Sequence, residues 1–289
     1  SAIDADSDGK EGAYYVWTQQ QLLDALATEQ NREIFDRYFL LHTMKGNADQ
    51  SIIIAKARTE FSEADENPIL LIKNALRASR EKRKKPACDT KSITAWNALM
   101  IAAYARAGTV LKTPEYISQA ATAANLVLKN LRDQEGRLLR IRIKSASDAE
   151  KVYGQAYLDD HANLAYACIG LYKATKDHQW LEHATSIMKE ITIRFEDKTG
   201  GGFFSTSPEH DSKLFVRLKP RYDGAEPSGN SAVLLVLHEL HQITGESGYE
   251  ILFEKHQRSF LNTIQVSPTA SPLSLFALRK HLSKSNRKE

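Results

Sequence analysis

From Trp96 onward the chain alternates between two kinds of helical segment. The first kind is small and apolar nearly all round. In "WNALMIAAYARAG" the apolar positions include Ala98, Ile101, Ala102 and Ala105, and in "GNSAVLLVLHELHQITG" they include Val233, Leu234, Val236 and Leu237. A helix without a polar face is buried on all sides. The second kind is amphipathic. Ala120, Ala123, Ala124, Val127, Leu128 and Leu131 line one face, against Gln119, Asn125, Lys129 and Arg132 on the other. The pairs recur. Asn97, Asn163 and Asn230 hold equivalent places at intervals of 66 and 67 residues, and amphipathic helices follow near Tyr116, Trp180 and Tyr249. Helical hairpins repeated at a fixed period signal a solenoid or a closed toroid, with an inner ring wrapped by an outer one.

Between repeats the pattern changes. "DQEGRLLR" from Asp133 and "DKTGGGFFS" from Asp197 each read as a turn into a short β-segment, the glycines suiting a tight hairpin. The N-terminal part predicts helices near 19–41 and 68–82, one further hairpin, with "AYYVW" as a strand. A last amphipathic helix is expected near 272–284. With no linker or composition shift, the expectation is a single toroid domain over 1–289, with repeats near 96–134, 162–198 and 229–264. The count is about four hairpins, an incomplete ring whose open flank exposes inner-helix apolar surface.

Bulk composition narrows the function classes. Thirty-nine basic and 36 acidic residues leave a net charge of +3, so no nucleic-acid partner is implied. The basic run Arg77 to Lys85 reads as a solvated helix end. Two distant cysteines, Cys88 and Cys168, make no disulfide framework. No apolar run is long enough to span a membrane, and the N-terminus lacks a signal-peptide layout, so a cytoplasmic location is the expectation.

Chemistry concentrates where apolar helices begin. "CDTKSITAWN" carries Asp89, Thr90 and Trp96. "YLDDHAN" carries Tyr157, Asp159, Asp160 and His161. "YDGAEPSGNS" carries Tyr222, Asp223, Glu226 and Ser228, with Ser228 as a helix N-cap after Pro227. Inner helices of a toroid start at one rim, so these loops are expected to share one mouth. Two acids across an aromatic-walled pocket suit glycoside chemistry. On that reading Asp160 and Glu226 are the acid/base pair, oriented by Asp223 and Asp159. Trp96, Tyr157 and Tyr222 hold a sugar, with His161 and Asp89 beside them. The competing reading makes Asp159 and Asp160 helix caps, Asp223 and Glu226 a turn network, and Trp96 core.

Metal sites are not expected. "DADSDG" (Asp4 to Gly9) resembles half of a calcium loop but has Tyr15 where the bidentate Glu belongs, so a polar turn is favoured. "HELH" (His238 to His241) spaces its histidines three apart, where the zinc-protease pattern needs four. No cofactor motif is present.

Five stretches carry a resemblance: "SAIDADSDGKEGAYYVWT", "SITAWNALMIAAYARAG", "YLDDHANL", "GGFFST" and "YDGAEPSGNS". Together they resemble the helical part of the spermatogenesis-associated protein 20 family. That resemblance implies a six-hairpin, glycosidase-like α/α toroid, a thioredoxin-like domain upstream, and a fragment of a longer protein. It implies a carbohydrate-active or carbohydrate-binding domain of uncertain enzyme status. The alternative is a non-catalytic scaffold presenting clients to the thioredoxin-like domain. The family shows two adjacent acids where this chain has Asp89-Thr90, and Tyr where it has His161. Chemistry of the N-acylglucosamine 2-epimerase type needs two converging bases, and only His161 is well placed.

Overall fold

The computed structural model describes residues 2–43, 52–57, 62–144, 150–210 and 213–285. Internal contacts divide the chain into two compact units, Ser1–Thr90 and Lys91–Glu289.

In the first unit β1 (Ala2–Ile3) lies antiparallel to β6 (Cys88–Asp89). β2 (Asp6–Ser7) and β3 (Lys10–Glu11) form a hairpin whose tip, Asp8-Gly9, has positive φ at both residues. Two left-handed residues at a two-residue tip match the strand twist, and Asp-Gly tolerates them best. The calcium-like stretch thus forms the tip of a short polar hairpin. α1 (Gln19–Leu26) opens with a Thr18–Gln21 capping box. It stops at Ala27, and Thr28 caps a separate α2 (Glu29–Tyr38). The chain then enters β4 (Phe39–Thr43), paired antiparallel with β5 (Ile52–Lys56), and α3 (Glu66–Glu81) follows. The expected continuous helix over 19–41 is thus broken, and its end is a strand. Thr28 is the physical reason: it offers its side chain to the Asn31 amide and restarts the helix.

A small core of Trp17, Leu22, Leu26, Phe35, Ile69 and Ile72 closes this unit. "AYYVW" is not a strand. It turns through Gly12 and reaches Ile52 by one isolated bridge at Trp17. The basic run is only partly solvated. Arg83 stacks 4.1 Å over the Trp17 ring and donates to the carbonyl oxygens of Tyr14 (3.0 Å) and Val16 (2.6 Å). A guanidinium does this because its face packs on an indole while its edge donates.

The second unit is an array of (α/α) hairpins of the toroid type, all-α apart from short strands. β7 (Ser92–Ile93), β8 (Leu139–Lys144) and β9 (Glu150–Gln155) make an antiparallel sheet in that order. α4 (Thr94–Val110) pairs with α5 (Pro114–Asn130), α6 (Leu158–Thr175) with α7 (His178–Phe195), and α8 (Gly229–Thr244) with α9 (Ser247–Gln257). After α10 (Leu261–Val266), α11 (Pro272–Ser285) packs on α8. The inner row is therefore α4–α6–α8–α11, because α4 packs on α6 and α6 on α8.

The two helix types behave as their patterns predict. α6 and α8 are buried along nearly their whole length, and α5 and α7 bury one stripe each. α4 differs. Ala98, Ile101 and Ala105 are buried, but Trp96, Met100 and Val110 are more than half exposed on the opposite side. "DKTGGGFFS" makes a tight turn with a single bridge, Glu196 to Phe203, rather than a named strand.

Candidate functional site: linked helix starts

Each inner helix begins with amide N–H groups that have no partner within the helix. Side chains from neighbouring loops supply partners, and in doing so tie one helix start to the next. Asp160, in the first turn of α6, accepts from its own Tyr157 amide (2.9 Å) and from the Ala95 amide of α4 (2.9 Å). Arg140 of β8 adds an ion pair at 2.8 Å, and also reaches Asp159 at 3.2 Å. The Arg140 guanidinium lies 4.7 Å from the Tyr157 ring centroid. Gly229, opening α8, lies so close to α6 that an added Cβ would meet the Asp159 amide nitrogen and the Leu158 side chain, both at 2.9 Å. Asp223 accepts from the Ser228 amide, at the N-cap of α8, and from the Leu273 amide of α11, both at 2.8 Å. Ser228 caps α8 by accepting from the Ser231 amide, as its position predicts. Four helix starts are thus linked in sequence, α4 to α6 to α8 to α11.

The electrostatics follow from burial. Asp160 has no exposed surface. Burial, aided by the neighbouring Asp159 charge, pushes its carboxyl up to about 6, against the pull of Arg140 and the two amides. Burial lowers the Arg140 pKa less than the two carboxylates raise it, so it stays above its ordinary value. His161 is also fully buried. Its Nδ1 lies 2.8 Å from the Tyr157 carbonyl oxygen and its Nε2 3.3 Å from Glu190. Burial works to raise the Glu190 pKa, but hydrogen bonds from His161 and Arg194 outweigh it and hold the carboxyl below its ordinary value.

Glu226 stands apart. It is half-buried, and its Oε1 accepts from the Trp96 indole Nε1 at 2.5 Å. Trp96 is 52% exposed and Tyr222 is 68% exposed. The Tyr222 ring lies against Gly224 in the loop that carries Glu226.

The structure therefore sorts the expected site residues. Trp96 and Glu226 come together, with Tyr222 on the same loop. Asp159, Asp160 and Tyr157 come together around Arg140. Asp223 sits between α8 and α11, and His161 is core. Asp89 is exposed in β6 of the first unit. Arg140 escaped the sequence reading. Twenty residues from its partner, it is placed there only by the antiparallel pairing of β8 and β9.

No protein-family model matches the chain. Curated proteins do. Human spermatogenesis-associated protein 20 is 30% identical over 286 residues, covering 86% of this chain and 36% of its own length. The mouse protein of the same name is 28% identical over 285 residues, with the same shares. The chain is homologous to these proteins over most of its length, and spans about a third of theirs. Among solved structures, a family 76 glycoside hydrolase α-mannanase of Bacteroides thetaiotaomicron matches at TM-score 0.47 and 13% identity, covering 86% of this chain and 58% of that one. A cellobiose 2-epimerase of Spirochaeta thermophila matches at TM-score 0.49 and 16% identity, covering 61% and 44%. Likeness at that level assigns no residue a role.

Proposed function

We propose that the hairpin array is a carbohydrate-binding domain whose contact point is the Trp96–Glu226 pair. The observation that carries this is the indole-to-carboxylate hydrogen bond between two residues 130 positions apart. It fixes a half-exposed aromatic face beside an acceptor. A sugar presents C–H groups on one face and hydroxyls on its rim. The first pack on an aromatic ring and the second donate to a carboxylate. Glu226 keeps Oε2 for that purpose, and Tyr222 offers a second exposed ring. Asp160 and Asp223 take a different part. Their oxygens are committed to amides at helix starts, so they hold the mouth's shape rather than meet substrate.

The test is titration of the full chain with a panel of neutral oligosaccharides, followed by Trp96→Ala and Glu226→Gln. Both positions are exposed enough to leave the fold intact. We expect each variant to weaken binding about tenfold at unchanged thermal stability. Binding of unfolded peptide with no response to any sugar would overturn the proposal in favour of a client-binding scaffold. Sugar turnover abolished by Glu226→Gln would make the domain an enzyme.

A further inference from the structure

Away from the helix starts, α9 and α11 bring three ligand-type side chains together. Glu250 and Glu254 stand one turn apart on α9, on one helix face. His281 of α11 faces them, and one donor atom from each of the three lies within 4.8 Å of the others. His281 is nine-tenths buried. It stacks on Phe253 at 4.3 Å and meets His238 edge-on at 5.8 Å. Its ring is thus oriented by aromatic packing and aimed at the two carboxylates without hydrogen-bonding them. His241 of α8 adjoins the cluster. Its Nδ1 is 3.1 Å from the Glu246 carbonyl oxygen, and its Nε2 is 3.8 Å from Glu250.

The His241 geometry is informative. A carbonyl oxygen only accepts, so Nδ1 carries the hydrogen. Its Nε2 faces the Glu250 carboxylate at a distance too long for a direct hydrogen bond, which leaves that nitrogen open to a metal ion held by the same carboxylate. A ring nitrogen donating to a backbone carbonyl while the other faces a metal is the usual second interaction of a metal-binding histidine.

We propose that Glu250, Glu254 and His281 bind a divalent transition-metal ion, Zn²⁺ in the first instance, with His241 as the adjoining fourth donor. Mixed carboxylate and imidazole donors suit Zn²⁺ and its first-row neighbours better than Ca²⁺ or Mg²⁺, which prefer oxygen alone. The donor atoms contract onto the ion by side-chain rotation, since Glu254 is exposed and Glu250 half-buried. The ion clamps the last inner helix, α11, to the outer helix α9. The site does not use the two "HELH" histidines as a pair: only His241 adjoins it, while His238 packs in the core and Glu239 faces Lys173 and Lys280.

The test uses the full chain, stripped with chelator and titrated with Zn²⁺ by calorimetry, with thermal unfolding in parallel. One equivalent is expected to bind and to raise the unfolding temperature. Co²⁺ in its place is expected to give ligand-field bands that Zn²⁺ displaces. Glu254→Gln lies at an exposed position and leaves the fold intact. It is expected to weaken Zn²⁺ about tenfold or more, and Glu250→Gln to do the same. His281→Gln is expected to abolish the Co²⁺ bands. If it fails to fold, the two glutamate variants decide alone. No binding at 100-fold excess metal, or binding that neither glutamate substitution weakens, overturns the proposal.

Discussion

At the scale of single residues, the carboxylates at the helix starts differ by what surrounds them. Asp160 faces two amides and a guanidinium and has no exposed surface. Removing the charge leaves these donors without an adequate acceptor. An Asn there keeps one oxygen but turns its NH₂ towards a donor. Asp160→Asn is therefore expected to destabilise the fold by about 3 kcal/mol, read as a lower denaturation midpoint at unchanged slope. An unchanged midpoint would return Asp160 to the role of acid or base. The sequence showed Asp159 and Asp160 in a first helical turn, where capping and chemistry look alike. Only the Ala95 amide, 65 residues away, separates them. Trp96 carried the opposite ambiguity. Its place in an apolar helix favours the core, yet it lies on the exposed side of α4.

At the scale of elements, the inner row depends on how closely helix starts approach. Gly229 opens α8 against α6, and two forces oppose each other there. Ala in place of Gly favours a helix by about 0.5–1 kcal/mol. A Cβ at 2.9 Å from a backbone nitrogen forces the two helices apart, and overpacking of that kind costs about 1–3 kcal/mol. Sterics win. Gly229→Ala is expected to lose about 1 kcal/mol net, measured by chemical denaturation, whereas a gain would mean that α8 shifts freely. The element pattern was legible from the start. Helix type, hairpin order and the Ser228 cap all depend on nearest neighbours in sequence. The N-terminal part was less legible, since α1 and α2 join through a break at Ala27-Thr28 that periodicity alone does not register.

At the scale of the molecule, buried titratable groups make stability depend on pH. His256 is buried, and its Nδ1 accepts from the Gly202 amide at 2.9 Å. Burial pushes its pKa down to about 4 despite the nearby Glu196. Between about pH 6.5 and 4 the unfolded chain binds a proton that the folded chain refuses. The contribution of His256 is thus complete above pH 6.5 and is lost as pH falls to 4, by up to about 3 kcal/mol. Asp160 runs the other way. With its pKa raised, its contribution falls as pH rises from about 4 to 6. His256→Asn keeps an acceptor for Gly202 and removes only the first effect. Over that range, wild type is expected to lose stability relative to this variant as pH falls, and parallel curves would show that His256 does not titrate with folding. Among the described residues no helix is long and apolar enough to cross a membrane. Cys168 is buried, and its thiol is pushed up to about 12, where it stays protonated and inert.

What the chain determined by itself was everything carried by local periodicity: two helix types, their alternation, the repeat near 66 residues, and the loops where acids and aromatics gather. A helix face is set by spacing along one segment, so it can be read without a partner. The tertiary structure alone decided which side chains meet. Asp160 with Ala95 and Arg140, Trp96 with Glu226, and His281 with Glu250 and Glu254 each join separate repeats or strands. Such meetings depend on how helices pack and strands pair, and packing is set by the summed shape of many side chains rather than by any one spacing.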